Sequence, residues 1–382
     1  MQEVQFIDQP AVLAQACQHW ASKPWLALDT EFIREKTYYP QLCLVQIGDI
    51  DQAICIDTLA IKDLSPLWEL LGQTHILKVL HSASQDLEIF WHQTGQLPSP
   101  LFDTQIAASL MGLGDQISYA KLVDSLLSVQ LDKSHTRTDW AKRPLDHGQL
   151  RYAADDVIYL ARAYERLHDQ LARAGRLDWL HEDFIALANG KNYSPAPETV
   201  WQRLKNLSQL KSRRELAIAQ TLSAWRENTA MRANRPRRWI LADEIIIDCA
   251  RRPPKNSEAL AQIRGLKPEQ VERHGTAILA AIREGQAMPE EACPSLPERR
   301  HLTPTQESKV DVAMALLRHQ AEHHGISTAG IASRKDVEQW VLGDPQSRLA
   351  RGWRHALAGR TIEQWLNGET SVRSSPTGLL VS

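Results

Sequence analysis

At 382 residues the chain is too long for one ordinary domain and suits two or three. Hydrophobic residues make up 43% and charged residues 24%, enough apolar material for a sizeable core. No stretch approaches the roughly 18 apolar residues that a membrane span needs. The formal charge of −2 conceals an asymmetry: residues 1–190 hold 15 Lys+Arg against 25 Asp+Glu, a net of −10, and residues 191–382 hold 29 against 21, a net of +8. An acidic half joined to a basic half suits a protein that holds a polyanion, although ordinary variation between domains gives the same numbers.

The opening MQEVQFIDQP has neither a basic segment nor an apolar run, so no secretory signal is expected. The cysteines (Cys17, Cys43, Cys55, Cys249, Cys293) are scattered without a C-x-x-C pair, and Cys43 and Cys55 sit in apolar runs as small hydrophobes. The expectation is a reduced, cytoplasmic protein with no membrane association.

In chain order, strand-length apolar runs come first: Trp25–Phe32, Leu42–Ile47, Ala53–Asp57 and Ile76–His81. The first three lie close together, which predicts an antiparallel start. Helical periodicity follows over Ser84–His92, Thr104–Met111, Tyr119–Leu127 and His147 to about Arg173. Strands followed by interleaved helices predict an α/β domain around a mixed sheet. NGKNYSPAPE, Asn189–Glu198, reads as a linker, and beyond it the pattern is helical throughout. The proline-rich Glu290–Thr305 divides that second half into two stretches. Each has a long helix, a basic and small-residue segment and two short helices, in the manner of a degenerate tandem repeat.

Candidate chemistry begins at LALDTEF. Alternate residues of a strand share a face, so Asp29 and Glu31 point the same way and repel unless a cation lies between them. In HSASQDLEIF, Ser82 or Ser84 can cap a helix and set Asp86 in its first turn, where it also complements the helix dipole. In LRYAADDVIYLARAY, Tyr152 and Asp156 are four apart and share a helix face, with Asp155 pointing elsewhere. Oxygen ligands without Cys or His favour Mg²⁺ or Mn²⁺ over zinc. Each signal alone is ordinary decoration; together they converge.

In this order the residues resemble the DEDD superfamily of 3′→5′ exonucleases, in the branch whose third motif is Tyr-x-x-x-Asp. The motifs match as Asp29-Thr-Glu31, Asp86 and Tyr152-x-x-x-Asp156. The resemblance is closest to the ribonuclease D family, through LDTEFIREKTYYPQLCLVQIG, HSASQDLEIF, LFDTQIAASLMG and LDKSHTRTDWAKRPL. The second half resembles the two HRDC (helicase and ribonuclease D C-terminal) modules of that family. The resemblance implies a ribonuclease H-like exonuclease domain over residues 1–188 and HRDC-like modules over residues 205–288 and 303–382. It further implies two metal ions, with Asp29 touching both, Glu31 and Asp156 holding the ion that carries the attacking water, Asp86 supporting the other, and Tyr152 orienting that water.

Substrate contacts are expected from Phe32 as a wedge against terminal bases, from Lys133, Arg137 and Trp140 ahead of the catalytic helix, and from Arg235, Arg237 and Arg238 in the basic half. Lys211, Arg213, Arg214, Arg226 and Arg232 add charge nearby. His319, His323 and His324 lack ligand spacing and read as surface histidines. The implied substrate is RNA with a free 3′ end, transfer-RNA precursors above all, with no obligate protein partner. A 3′→5′ DNA exonuclease would use the same carboxylates and stands as the alternative. A helicase is excluded for want of a G-x-x-x-x-G-K-[ST] loop.

Overall fold

The computed structural model describes residues 4–132, 138–194, 196–296, 302–376 and 378–382. The first half builds β1 (Val4–Ile7), α1 (Pro10–Trp20), β2 (Trp25–Ile33), β3 (Gln41–Gly48), β4 (Ala53–Asp57), α2 (Ser65–Gly72), β5 (Leu77–Leu80), α3 (Ser84–Thr94), β6 (Leu101–Asp103), α4 (Thr104–Ser109), α5 (Tyr119–Leu127), α6 (His147–Arg173) and α7 (His181–Leu187). Its six-stranded sheet runs β1-β4-β3-β2-β5-β6. β2, β3 and β4 are antiparallel, as their short connections predict, and the remaining pairings are parallel. β1, α1 and α2 were not apparent in the sequence pattern.

The sheet is buried on both faces. On one side Leu26, Leu28, Val45, Ile47 and Ile56 meet α1, α2 and α3. On the other Ala27, Leu44 and Val79 meet α6, whose Ala153, Ala154 and Val157 are wholly buried. A Cβ at Gly48 would lie 2.9 Å from Val157, so the helix crosses β3 where no side chain intervenes. α6 is held at its start by a capping box between Asp146 and Gln149.

The linker is not a loose tether. Tyr193 is buried against the α3 side of the sheet, and the Trp91 indole donates to the Ser194 hydroxyl at 2.7 Å. Beyond it come α8 (Arg213–Ala233), α9 (Arg237–Ile240), α10 (Asp243–Arg251), α11 (Ser257–Ala261) and α12 (Pro268–Ala287). They are followed by α13 (Pro304–His323), α14 (Thr328–Ile331), α15 (Arg334–Val341), α16 (Gly352–Arg354) and α17 (Arg360–Leu366). Long helix, four-residue helix, medium helix recurs in both stretches. The expectation of helix throughout is corrected at the end, where β7 (Val372–Ser375) and β8 (Gly378–Val381) pair as an antiparallel hairpin.

The two helical stretches dock differently. α8–α12 form a core of their own around Leu222, Ile246 and Ile282. They meet the first half at the turn after β2, where Asn234, in left-handed conformation at the end of α8, accepts from the amides of Tyr38 (3.1 Å) and Tyr39 (3.0 Å). Beside it the Tyr38 hydroxyl donates to the fully buried Glu227, which also takes Arg237 at 2.5 and 2.6 Å. α13–α17 instead share the α6-side core, through Val310, Leu317, Ile331 and Ile362. Trp353 stacks on Trp179 at 4.6 Å, Asp183 takes Arg348 and Arg354, and the Ser327 amide donates to the Ser109 carbonyl at 2.9 Å.

The Glu227 clamp is asymmetric, because the Arg237 side chain is 39% exposed while that of Glu227 is sealed. Removing the cation strands a buried anion; removing the anion frees a cation that reaches water. Arg237→Met is therefore expected to cost about 3–5 kcal/mol and Glu227→Gln about 1–2 kcal/mol, measured by urea denaturation. Burial alone would raise the Glu227 carboxyl, but the hydrogen bonds from Arg237 and Tyr38 hold it below its ordinary value. Its contribution is thus present at neutral pH and lost as the pH falls through that lowered value. Equal losses for the two variants would refute the asymmetry.

Candidate active site

β2 carries Asp29 and Glu31 toward α6, and its ladder with β3 is interrupted by a bulge between Glu31 and Phe32. α3 follows β5 directly and presents Asp86 in its first turn. The expected serine cap is absent: Ala83 is the N-cap, with no side-chain bond. Instead Asp103, at the end of β6, accepts from the Ser82 and Ala83 amides at 3.2 and 2.9 Å and caps α4 through Gln105 and Ile106. The Asp86 carboxylate is held by a short hydrogen bond from the Thr30 hydroxyl. On α6, Tyr152 and Asp156 face the same cleft, whereas Asp155 turns to Arg151 at 2.8 Å.

The cleft holds about 230 Å³ and is lined by Asp29, Thr30, Glu31, His81, Tyr119, Tyr152, Asp156 and Leu160. Asp86 joins through Thr30. Burial pushes Asp29 well above the carboxylate range, and Asp156, Asp86 and Glu31 add repulsion. Glu31 is pushed up to about 8 by burial, then by Asp156 and Asp86. Burial lifts Asp86 and Asp156 to about 7, with Asp103 adding to the first against the Thr30 bond and Asp155 adding to the second. The Tyr152 phenol is raised by burial and by Asp156, Glu31 and Asp29, so it keeps its proton at neutral pH.

Among the described residues no three His, Cys, Asp or Glu side chains are drawn together into a closed metal cage. Asp29, Glu31 and Asp156 nevertheless share one cleft, Asp86 lies close enough to repel the first two, and among the described residues no Lys or Arg lines it. Hard oxygen donors whose repulsion is uncompensated fit divalent cations such as Mg²⁺.

Two lining residues went unnoticed in the sequence. Tyr119, at the start of α5, donates a short hydrogen bond to the Asp156 carbonyl and fixes the backbone that carries the carboxylate. His81, at the end of β5, bonds the Thr104 hydroxyl (3.0 Å) and the Ile117 carbonyl (3.1 Å). A lone His or Tyr in an apolar run carries no local signal of this role.

The expected substrate contacts fare unevenly. Lys133 and Arg137 lie outside the described residues. Trp140 is corrected: at 4% exposure it packs inward, 6.3 Å from the Tyr152 ring, with no face free for a base. Its neighbour Arg143 pins the segment by a bidentate bond to Asp57 at 2.6 and 2.8 Å. Phe32 is half-buried against the α3-side core. Arg237 is corrected as well, since its charge is neutralised by Glu227. Arg226 is likewise buried on Asp243, and Arg213 and Arg214 bond carbonyls in the last turn of α12 and just beyond it. Arg235 and Arg238 are exposed, beside an exposed Trp239.

The family model described as 3′-5′ exonuclease matches residues 4–172, and the HRDC domain model matches residues 215–282. Ribonuclease D of Gluconacetobacter diazotrophicus is 40% identical over 340 residues, 88% of this chain and 86% of the relative. That of Nitrobacter hamburgensis is 38% identical over 369 residues, 96% of each. The chain belongs to the ribonuclease D family. As a member it is a 3′→5′ exoribonuclease that depends on divalent metal. The crystal structure of Escherichia coli RNase D, described as an exoribonuclease involved in structured RNA processing, superposes with a TM-score of 0.84 at 33% identity, over 96% of this chain and 99% of that one. The mixed sheet and helical second half of this ribonuclease D family member are thus those of the family. No helix among the described residues is long and apolar enough to cross a membrane.

Charge crowding in the cleft sets a measurable pH dependence. The folded protein holds protons on these carboxylates that the unfolded chain, with ordinary values near ~4, releases. In chelator, the contribution of these carboxylates to stability is therefore full below about pH 4 and is lost as the pH rises through about 7–8. The melting temperature in EDTA is expected to fall between about pH 5 and 8, and Mg²⁺ to remove most of the fall. Asp29→Asn should raise the midpoint in EDTA and abolish the response to Mg²⁺. A midpoint in EDTA that climbs over that interval would contradict the crowding.

Proposed function

We propose that this chain shortens RNA from a free 3′ end by a two-metal mechanism, releasing 5′-mononucleotides one at a time, with transfer-RNA precursors as the natural substrate and the cytoplasm as the place of action. The observation that carries the reading is the set of Asp29, Glu31, Asp86 and Asp156 around one small cleft to which the described residues bring no Lys or Arg. The printed description of the Escherichia coli relative, structured RNA processing, supports the substrate class.

Two ions, Mg²⁺ or Mn²⁺, held by Asp29, Glu31, Asp86 and Asp156 would supply an activated water and neutralise charge on the leaving oxygen. The chain's own residues do the rest. Thr30 orients the Asp86 carboxylate, and Tyr119 fixes the stretch of α6 that presents Asp156. Tyr152, protonated at neutral pH, orients the attacking water by a hydrogen bond rather than taking its proton.

Residues 1–188 are assigned to the exonuclease unit, and 205–288 and 303–382 to two HRDC-like modules; the recurrence of long, four-residue and medium helices supports pairing the second with the first. Arg235, Arg238 and the exposed Trp239 suit phosphate contact and base stacking, and Phe32 stays a candidate wedge beside the metal ligands.

The test uses RNA labelled at its 5′ end. A ladder shortening from the 3′ end is expected, with a 3′-phosphate or circular RNA resistant and a matched DNA oligomer slower. Asp29→Asn and Asp156→Asn should abolish cleavage with the fold intact, and Tyr152→Phe should lower kcat by about 10²-fold while Mg²⁺ binding stays near normal. Near-normal activity of Asp29→Asn at saturating Mg²⁺ would overturn the assignment, and equal rates on DNA and RNA would favour a DNA exonuclease.

A further inference from the structure

Residues 110–118, between α4 and α5, form neither helix nor strand. Gly112 and Gly114 sit at φ +71° and +127°, where other residues are strained, so the segment owes its path to its partners rather than to local preference. Those partners fall into two groups.

One end of the segment reaches the cleft. The Ile117 carbonyl accepts from the Gln105 amide at 3.1 Å and meets the His81 ring nitrogen Nε2 at 3.1 Å. Two residues further on, Tyr119 lines the cleft and donates to the Asp156 carbonyl. The other end is held by the second helical stretch. The Gly114 amide donates to the Ser327 hydroxyl at 3.2 Å, and the Ala329 amide donates to the Asp115 carboxylate at 3.2 Å. The backbones touch at Gly112, where a Cβ would lie 2.8 Å from the Gly325 carbonyl. Arg176, just past the end of α6, bridges the two sides. One guanidinium nitrogen donates to the Leu110 carbonyl and another to the His324 carbonyl, each at 2.6 Å.

Docking of the stretch does not depend on this seam alone, because Asp183 with Arg348 and Arg354, and Trp179 with Trp353, join it to α7 and the turn before it. What the seam adds is a fixed path for the segment that ends at Tyr119. We infer that the second helical stretch acts on the reaction through residues 110–118, with Arg176 a positioning residue that, by pinning Leu110 and His324 together, keeps Tyr119 on the Asp156 carbonyl. Once the seam is loosened, the turn of α6 beneath Asp156 gains freedom, and its carboxylate meets divalent cations less well. The inference rests on the reading of Asp156 as a metal ligand.

The test uses the full chain, with Mg²⁺ alone titrated by calorimetry without RNA and steady-state kinetics on short RNA at a temperature where every variant is folded. Arg176→Met is expected to bind Mg²⁺ about 10-fold more weakly and to lose about 10-fold in kcat with little change in KM. Arg176→Lys, which can still reach one carbonyl, should fall between Met and wild type. Arg348→Met removes a docking bond away from the segment and should lower the melting temperature while leaving kcat and Mg²⁺ affinity unchanged. Tyr119→Phe should reproduce the losses of Arg176→Met, and combining the two should add little, since both act on one contact. Normal kcat and Mg²⁺ affinity in Arg176→Met would overturn the inference, as would equal losses in Arg348→Met or full additivity with Tyr119→Phe. Asp156→Asn is run in parallel: normal Mg²⁺ binding there means that the reading of the site has failed, whereas loss there with normal binding in Arg176→Met sinks only the inference about the seam. Should Arg176→Met fail to fold, Ser327→Ala is measured in its place against the same outcomes.

Discussion

Everything in the first half answers to one constraint, the burial of four carboxylates around a single cleft, where they can ionise together only at a cost. At an effective dielectric of about 20, two carboxylates about 4 Å apart repel by roughly 4 kcal/mol. Side chains free to move would swing apart. Here each is denied that freedom by an element with other reasons to stay in place. β2 is paired on both edges, by β3 and β5. α6 is capped, buried along ten positions and tied to α5 by Tyr119. α3 is set by Asp103 from the neighbouring strand, and Asp86 is tied to β2 by Thr30. The fold thus keeps the carboxylates crowded; if they are the metal ligands proposed above, divalent cations relieve the crowding, and metal binding and stability are two views of one balance.

The helical second half is joined to this scaffold on two fronts of different chemistry. The first stretch is held by a polar clamp at the turn that leaves β2, a few residues beyond Glu31. Its own core is closed without the sheet. The second stretch has no such independence, because Leu317, Ile331 and Ile362 complete the apolar cluster that also contains α6. Cutting the chain at the linker would strip that cover from the helix bearing Tyr152 and Asp156. The two stretches therefore share a sequence pattern but not a structural role.

Much of the site could be read from the sequence, and the reason is local. Asp29 and Glu31 alternate on one strand, and Tyr152 and Asp156 lie one helical turn apart, so periodicity alone shows which side chains share a face. The bounds of α6 follow from its long apolar stripe. What escaped depends on partners distant in sequence. Thr30, Tyr119 and Asp103 look like ordinary polar residues until folding sets them beside Asp86, Asp156 and α3. The arginines misled for the same reason. A run of positive charge between Arg226 and Arg238 reads as a binding surface, yet Glu227 and Asp243, one inside the run and one just past it, take Arg237 and Arg226 into the interior. The terminal hairpin escaped because its two strands are only four residues each.

The charge asymmetry also changes meaning once the site is placed. An acidic exonuclease half seems ill-suited to a polyanion, but four of its negative charges are the site carboxylates. On the proposed reading, two divalent cations would bring +4, so the occupied ligands would contribute nothing to repulsion at the place where a phosphate must approach. The remaining acids are spread along elements such as α7, where Asp183 already faces Arg348 and Arg354. The cations therefore do two jobs that cannot be separated in this architecture. They would relieve the carboxylates, and they would cancel the negative field that a 3′ end meets on entering the cleft. On the proposed reading, the basic half need not overcome the acidity of its partner; it would have only to hold the body of the RNA while a neutralised cleft receives the end.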